Sequence, residues 1–296
     1  MKVLVTGAGG QLGRDLQPRL ESAGLEGAYL DSTTMDITDR EVVFKTITEK
    51  RPDVIINCAA YTKVDQAESE PESAFKVNGD GPAILADSAA HVGALMVHIS
   101  TDFVFDGAKS SPYKEDDAPN PLSVYGKSKL AGEEEITKRL TEYIIVRTAW
   151  AYGVHGNNFV KTILRKAGEQ EALKVVSDQV GTPTWTGDIA DALVKVAMGY
   201  REGSTQPGIY HFTDDGVASW HEFASAIIQE AEALGISLKC RVVEPIPTSE
   251  YPLPAERPAY SVLDTERIKK SFGLSIPHWR VSLRRMIKEY YGGDNA

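Results

Sequence analysis

The stretch of this sequence best suited to chemistry is Leu122–Lys129, which reads LSVYGKSK and places a tyrosine four residues before a lysine. If this stretch begins a helix, Tyr125 and Lys129 emerge on one face. A phenol has an ordinary pKa of about 10, so an ammonium that favours the phenolate makes the group usable as an acid or base. With 12 tyrosines in 296 residues, chance produces such a pair about as often as not, and other features must decide its meaning.

A glycine-rich turn near the N-terminus predicts a dinucleotide-binding site. Lys2–Thr6 reads as a buried strand, residues 7–13 read GAGGQLG, and the leucines up to Leu20 have helical spacing. Glycines let the backbone approach a pyrophosphate, and the free N–H groups of a helix N-terminus attract its charge. The turn residues predicted to contact this cofactor are Gly7, Gly10, Gln11, Leu12 and Gly13.

The predicted second strand, Ala28–Asp31, ends in a carboxylate. An acidic residue at this position accepts hydrogen bonds from the adenosine ribose and disfavours a 2′-phosphate, although Asp31 could also be a turn residue. Asp31 therefore favours NADH, whereas Arg14 could hold the phosphate of NADPH, and the choice stays open. Asp36 and Ile37 are predicted to lie beside the adenine.

A further buried strand is predicted in the run Asp53–Ala60, which ends in small residues that let a flat cofactor lie close. We predict that Ala59, Ala60 and the following Tyr61 contact the cofactor. The helical stretch that comes next carries Glu68, which we interpret as part of a solvated surface.

Thr101 and Asp102 follow the predicted strand Ala94–Ser100. In an open parallel sheet, ligands bind outside the carboxyl ends of the strands, so both residues are candidate site residues. The alternative for Thr101 is an ordinary turn residue at the end of a strand.

Strands alternate with helices as far as Tyr143–Arg147, which predicts an α/β fold with a Rossmann-like, doubly wound parallel sheet. The later part reads as a smaller α/β substrate-binding domain. We place the division at residues 1–149 and 150–296 and expect some later segments to return to the first domain. Residues 292–296 read as a disordered end.

Composition narrows the possible functions. A net charge of −10 argues against nucleic-acid and anionic membrane partners. Cys58 and Cys240 are too few and too far apart for a disulfide framework or a thiolate metal site, and no apolar run could span a membrane. We expect a cytoplasmic protein with a small-molecule partner.

Several blocks of sequence resemble the dTDP-4-dehydrorhamnose reductase family within the extended short-chain dehydrogenase/reductase superfamily. The superfamily pattern is carried by the glycine turn, by Thr101 and by Tyr125 with Lys129. The family pattern is carried, in the family's order, by residues 9–13 (GGQLG), 57–68 (NCAAYTKVDQAE), 100–107 (STDFVFDG), 147–153 (RTAWAYG), 178–183 (DQVGTP) and 257–264 (RPAYSVLD).

The resemblance implies reduction of the 4-keto group of dTDP-4-dehydro-L-rhamnose by NADPH or NADH, the last step in making dTDP-L-rhamnose for bacterial surface polysaccharide. It implies that Tyr125 protonates the carbonyl oxygen. Lys129 would lower the tyrosine pKa and hold the nicotinamide ribose, and Thr101 would hydrogen-bond the same oxygen. Asp102 and Trp150 would contact the sugar nucleotide.

Four alternatives to this reductase differ in what the site must do. A sugar-nucleotide 4,6-dehydratase needs an additional acid at the position of Phe103, which a phenyl ring cannot provide. A 4-epimerase or another sugar-nucleotide reductase stays possible from the residues alone. A non-catalytic regulatory subunit of methionine adenosyltransferase has no need of the intact set Thr101, Tyr125 and Lys129.

Some family members form dimers around Mg²⁺ held by carboxylates. Asp15 lies where such a ligand would lie, and Asp188 and Asp191 are candidate partners. Aspartate is shorter than glutamate, so we favour the interpretation of these residues as helix-surface acids; a Mg²⁺ site stays possible but is not favoured. The chain is then expected to be a monomer or a homodimer.

Overall fold

The computed structural model describes residues 1–203 and 205–292, and its main layer is a six-stranded parallel sheet. The short apolar runs of the sequence form these strands because both faces of the sheet are covered by helices. In space the order of the strands is β2-β1-β3-β4-β5-β10. The strands are β1 (Lys2–Thr6), β2 (Glu26–Leu30), β3 (Val54–Asn57), β4 (Leu95–Thr101), β5 (Tyr143–Thr148) and β10 (Gly208–His211).

Helices pack on both faces of this sheet, and adjacent residues of β1 show the two cores. Val5 lies in the core formed with helices α1 and α8, whereas Leu4 lies in the core formed with α2, α5 and α6. This alternation follows from the period of a strand. The helices are α1 (Gln11–Ser22), α2 (Arg40–Lys50), α5 (Gly81–Val92), α6 (Val124–Arg139) and α8 (Thr186–Arg201); between α2 and α5 lie α3 (Val64–Ala67), α4 (Pro71–Phe75) and a π-helical turn (Lys76–Asp80).

The carboxyl edge of the sheet gathers polar residues from four strands. The register pairs Thr6 with Asn57, Asn57 with His98, and Thr101 with Thr148. The strand order reverses between β1 and β3, which is where ligands bind in sheets of this kind. The predicted cofactor turn and Thr101 therefore lie at the same edge.

Among the described residues, the second half of the chain forms three two-stranded sheets and a separate apolar core around Phe223, Ile227 and Leu283. Its remaining strands and helices are β6 (Ala151–Tyr152), α7 (Phe159–Glu169), β7 (Ala172–Val176), β8 (Val180–Gly181), β9 (Thr184–Trp185), β11 (Ala218–Ser219), α9 (Trp220–Ala233), β12 (Val242–Ile246), α10 (Glu266–Phe272) and α11 (Trp279–Gly292).

The structure confirms the predicted fold class, a Rossmann-like doubly wound sheet with a smaller α/β part. The division at residues 149 and 150 stays a prediction; α8 packs against α1, and β10 pairs with β5, so two later segments join the first layers. Gly292 ends α11, and the rest of the predicted disordered end lies outside the described residues. Within the described ranges, no helix is long and apolar enough to cross a membrane.

Candidate active site

The glycine turn between β1 and α1 brings the backbone of two strands close together. Gly7 has a φ of +65°, and a Cβ there would lie 2.6 Å from the amide nitrogen of Ala59. At Gly13 a Cβ would lie 2.5 Å from the carbonyl oxygen of Gly7. Only glycine fits these two positions, because a side chain on Gly7 would push the turn away from the end of β3, and a side chain on Gly13 would push α1 away from the turn.

The turn residues fit the pyrophosphate of a dinucleotide. Gly10 is the N-cap of α1 and supplies no side-chain cap, so the first N–H groups of the helix can serve an anion. Gln11 is held from outside the turn, because its Oε1 accepts a hydrogen bond from Nδ2 of Asn158 at 2.9 Å. Leu12 packs against the core beneath the helix. The chain thus offers backbone donors at the place where the sequence predicts them.

Asp31, Asp36 and Ile37 are placed differently from one another. Oδ1 of Asp31 accepts hydrogen bonds from both the side chain and the backbone of Thr33 at 2.7 and 3.0 Å. These hydrogen bonds lower the pKa of Asp31, so it is a carboxylate at neutral pH. Asp36 accepts a hydrogen bond from the backbone of Thr38 at 2.9 Å, and Ile37 is buried in the core. Ile37 is therefore a packing residue first, and adenine contact stays a prediction for both.

The small residues after β3 keep their predicted place beside the turn. Ala59 packs under Gly7, and Ala60 and Tyr61 follow it, all of them partly exposed. The backbone N–H of Tyr61 donates to Oδ1 of Asn78 at 2.8 Å, which fixes the loop against α6 and the π-helical turn. The loop is therefore an ordered wall of the predicted cofactor site.

The stretch that carries Tyr125 does begin a helix, as predicted. Ser123 caps α6 by accepting a hydrogen bond from the N–H of Gly126 at 3.1 Å. Glu68 caps it from the side, since its Oε1 accepts a hydrogen bond from the N–H of Val124 at 2.8 Å. The interpretation of Glu68 as a merely solvated acid is wrong, because a free helix N-terminus lies within its reach.

Tyr125 is positioned by a close contact between α6 and the residues after β4. The ring of Phe103 packs edge-on against Tyr125, with 5.6 Å between centroids. A Cβ on Gly126 would lie 2.2 Å from the carbonyl oxygen of Phe103, so the approach requires glycine. Thr101, the last residue of β4, lies beside Phe103, and its Oγ1 accepts a hydrogen bond from the N–H of Phe103 at 3.2 Å. Tyr125, Thr101 and Phe103 therefore form one unit.

Lys129 lies one helical turn after Tyr125 and is almost completely buried. Its Nζ donates a hydrogen bond to the carbonyl oxygen of Ile99 at 2.7 Å. Burial lowers the pKa of Lys129 to about 8, although Glu133 and Cys58 raise it. The ammonium is thus fixed to the backbone of β4 and can titrate close to neutral pH.

The pKa of Tyr125 shifts opposite to the direction predicted from the sequence. Burial raises it to about 12, hydrogen bonding with Thr101 lowers it, and the charge of Asp102 raises it. Since Lys129 bonds to the Ile99 carbonyl, its charge does not dominate the tyrosine. Tyr125 is consequently a protonated phenol across the neutral range, which is the form that an acid needs.

Asp102 and Trp150, the two residues expected to contact the sugar nucleotide, are held in different ways. Asp102 is buried, and its Oδ2 has no hydrogen-bond partner among the residues that the structure describes. Trp150 has a φ of 44°, an unusual backbone for a bulky residue. Its ring stacks on Trp220 with 3.6 Å between centroids, and a Cβ on Gly181 would lie 2.6 Å from the ring. Trp220 was not predicted, since no sequence spacing links it to Trp150.

The three aspartates considered as metal ligands each have protein partners. Oδ2 of Asp15 accepts a hydrogen bond from Thr186 at 2.5 Å, and Asp191 forms an ion pair with Arg19 at 2.8 Å. Asp188 accepts a hydrogen bond from Ser282 at 2.5 Å and pairs with Arg285 at 3.1 Å. No cluster of three or more potential metal ligands occurs in residues 1–203 and 205–292. Asp15 and Asp188 are also buried, so they are not helix-surface acids as predicted.

Comparison with known proteins shows the family to which the chain belongs. A family model described as the RmlD substrate binding domain matches residues 1–292. The chain is 46% identical to a dTDP-4-dehydrorhamnose reductase of Aggregatibacter actinomycetemcomitans over 287 residues, which cover 96% of this chain and 98% of the relative. The chain belongs to the dTDP-4-dehydrorhamnose reductase family.

Two further relatives add detail about this family. The spore coat polysaccharide biosynthesis protein SpsK of Bacillus subtilis is 43% identical and aligns over 97% of both chains. A dTDP-4-dehydrorhamnose reductase of Bacillus anthracis, solved in complex with NADP, has a TM-score of 0.90 and 39% identity, covering 97% of this chain and 99% of that one. The family likeness thus extends over the whole length and includes a nicotinamide cofactor in a solved relative.

Replacing Gly126 by alanine tests how Tyr125 is positioned. The added methyl group would collide with the Phe103 carbonyl, so we expect a loss of about 1–3 kcal/mol of stability and a fall in kcat larger than any change in KM. Thermal unfolding and steady-state kinetics measure the two effects. Gly168→Ala, at a helical position where a Cβ meets nothing within 4 Å, is the matched control. Equal behaviour of the two variants would contradict the positioning.

The pH dependence of turnover follows from the two shifted pKa values. Tyr125 keeps its proton up to a pKa of about 12, whereas Lys129 loses its charge as the pH rises through a pKa of about 8. We therefore expect kcat/KM for keto reduction to fall as the pH rises through about 8. A pH profile measures this, and a profile that stays flat to about pH 10 would contradict the assignment.

Proposed function

We propose that this protein reduces the 4-keto group of dTDP-4-dehydro-L-rhamnose to a hydroxyl, giving dTDP-L-rhamnose, with a nicotinamide cofactor as the hydride source. The observation that carries the proposal is that a proton donor, Tyr125, and the glycine turn both lie at the carboxyl edge of the sheet. The full-length likeness to reductases of that name supports this choice of substrate. The product is an activated sugar for surface polysaccharide.

Tyr125 would act as the general acid. Its hydroxyl, kept protonated by burial, gives its proton to the carbonyl oxygen as the carbon becomes a hydroxyl-bearing centre. The hydroxyl of Thr101 accepts from the N–H of Phe103 and donates to Oδ1 of Asp102 at 3.0 Å. By turning its proton from Asp102 to the carbonyl oxygen, it would stabilise the developing negative charge there. When bound, the cofactor supplies the hydride.

Lys129 would hold the cofactor rather than the substrate. An ammonium has three N–H groups, and the Ile99 carbonyl accepts one of them. The others can donate to the hydroxyls of the nicotinamide ribose. Gly7, Gly10, Gln11, Leu12 and Gly13 would hold the pyrophosphate, and Ala59, Ala60 and Tyr61 would flank the nicotinamide half.

Asp102 and Trp150 would bind the sugar nucleotide. The unpaired buried oxygen of Asp102 is a ready acceptor for a sugar hydroxyl, since an unpaired buried acceptor is unfavourable on its own. Trp150, held by its stack on Trp220, offers an apolar face. The contact set proposed for the substrate is Thr101, Asp102, Tyr125 and Trp150.

The alternative functions fit the site less well. Elimination chemistry would need an acid where the ring of Phe103 packs against Tyr125. A regulatory subunit without catalysis would not require the tight contact of Gly126 that places Tyr125 beside Thr101. Epimerisation or reduction of another nucleotide sugar would use the same residues. The assay below distinguishes them, because an epimerase gives no net oxidation of the cofactor and another reductase oxidises it only with a different keto sugar.

We also propose that the protein works in the cytoplasm as a monomer or homodimer on a small soluble substrate. Its net charge of −10 does not suit nucleic acid or an anionic membrane. Both cysteines are free thiols, which suits a reducing compartment.

For the cofactor we propose a preference for NADH over NADPH. Asp31 is an ionised carboxylate next to Gly9 of the turn, where it can accept hydrogen bonds from the adenosine ribose and would repel a 2′-phosphate. The guanidinium of Arg14 is engaged with the carbonyl oxygen of Gly9 at 3.1 Å. Arg14 can still soften the repulsion, so NADPH is expected to be the weaker substrate rather than excluded.

The primary test is the assay of purified protein with dTDP-4-dehydro-L-rhamnose, following oxidation of NADH and NADPH in parallel. We expect turnover in the wild type and a loss of at least about 100-fold in kcat for Tyr125→Phe, because the proton donor is removed. Cofactor affinity, measured by fluorescence, should stay nearly unchanged in the variant. Oxidation of neither cofactor, or oxidation only with another keto sugar, would contradict the proposed substrate.

Asp31→Asn tests the cofactor proposal. Removing the charge while keeping the shape should raise kcat/KM for NADPH relative to NADH by about tenfold, because one like-charge repulsion is lost. Glu49→Gln, a charge removal on the exposed surface of α2, is the control. An unchanged NADPH/NADH ratio in Asp31→Asn would mean that the carboxylate does not select the cofactor.

A further inference from the structure

A buried chain of polar side chains runs from the glycine turn to Lys129. Oγ1 of Thr6 lies 2.6 Å from Oδ1 of Asn57, whose Nδ2 lies 2.9 Å from Nδ1 of His98. Nε2 of His98 then lies 3.4 Å from Nζ of Lys129. All four residues are at most 2% exposed. His98 belongs to none of the sequence motifs, and the proposed reduction gives it no role.

The direction of the hydrogen bonds in this chain follows from a backbone donor. The N–H of Ala59 donates to Oδ1 of Asn57 at 3.1 Å, so this atom is the carbonyl oxygen of the amide. The other atom, Nδ2, must then donate to Nδ1 of His98. A neutral imidazole that accepts at Nδ1 carries its proton on Nε2. The proton of His98 therefore points at the amine of Lys129.

This arrangement affects the charge of Lys129. An ammonium facing an N–H group sets two donors against each other, whereas a neutral amine can accept the Nε2–H and still donate to the Ile99 carbonyl. We propose that His98 is a positioning residue for Lys129, holding its amine at the carboxyl edge of the sheet and favouring the neutral form. The inference rests on the reductase function proposed above, in which Lys129 holds the cofactor.

The other titratable groups around Lys129 are either paired with different residues or uncharged at neutral pH. Glu133, on α6, is engaged by the guanidinium of Arg147 at 2.6 and 3.0 Å and by the hydroxyl of Ser100 at 2.5 Å. Cys58, directly after β3, is a partly buried thiol, and desolvation raises its pKa to about 12. Burial and the charge of Lys129 hold the pKa of His98 well below its ordinary value. The imidazole therefore stays neutral while the amine titrates.

The substitution Asn57→Asp reverses the direction of the hydrogen bond between residue 57 and His98, with almost no change in the shape of the side chain. A carboxylate at residue 57 accepts from Thr6 and Ala59 as before but can no longer donate to His98. The proton of His98 should move to Nδ1, so that Nε2 becomes an acceptor for the Lys129 ammonium. We expect the alkaline limb of kcat/KM to move up by about one pH unit or more. A uniform loss of rate with an unmoved limb would overturn the proposal.

Two NMR measurements test the inference without turnover. The ¹⁵N shifts of His98 report which nitrogen carries the proton, and the ¹³Cε shift of Lys129 reports its titration. In the wild type we expect a proton on Nε2 and none on Nδ1, and the opposite in Asn57→Asp. A wild-type proton on Nδ1 overturns the proposal even if the variant does not fold. Absent reductase activity with the expected NMR result would instead reject the function.

Asn78→Asp is the matched control. Asn78 is equally buried, but its amide donates to Tyr61 and Ser128 instead of His98. It introduces the same buried carboxylate on the π-helical turn beside α6, so it controls for charge and for lost stability. We expect the His98 proton to stay on Nε2 in this variant. Movement of the proton in both variants would show that the specific chain through Asn57 is not responsible, which overturns the proposal.

Discussion

The burial of the Lys129 ammonium is the constraint that organises the site. Removing a charge from water is unfavourable unless hydrogen bonds replace the lost hydration. Here the Ile99 carbonyl supplies one acceptor, while the nearest carboxylate, Glu133, is engaged by Arg147. The lysine is therefore fixed in place but not neutralised by a partner. Such a cation can serve a bound molecule, and it can lose its charge close to neutral pH.

The rest of the site depends on three close backbone approaches that glycine makes possible. Gly7 lies against the end of β3, Gly126 lies against the carbonyl of Phe103, and Gly181 lies against the ring of Trp150. These contacts join the cofactor turn, the proton donor and the proposed sugar-binding face, which come from separate parts of the chain. Side chains at these three positions would push the cofactor turn, the proton donor and the sugar-binding face apart, and catalysis requires the reacting groups to be held close together.

Polar contacts also connect the two halves of the chain around the site. Asn158 holds Gln11 of the cofactor turn, and Arg257 forms a bidentate pair with Asp65, which follows β3. Because planar guanidinium–carboxylate pairs fix geometry as well as charge, the 257–264 segment is held near the carboxyl edge of the sheet. The residues proposed to bind the cofactor and those proposed to bind the sugar nucleotide are therefore connected by direct polar contacts between the two halves of the chain.

Local sequence signals determined the fold class and the central residues of the site. The strand–glycine–helix pattern at residues 2–20 and the polar residues after β4 depend on neighbours in the chain, and period and turn chemistry reveal such relations. The start of α6 at Val124 followed the same logic, since Ser123 and the i, i+4 pair are local. The resemblance of the motifs then narrowed the expected chemistry to one family.

Only the tertiary structure decided the electrostatics. The raised pKa of Tyr125 and the lowered pKa of Lys129 result mainly from burial, which depends on helices and strands distant in sequence. Glu68 reaches the N-terminus of α6 across 56 residues, and Asn57 meets His98 across 41. No spacing in the sequence encodes these pairs, because a parallel sheet brings its strand ends together only after the chain has crossed over between strands.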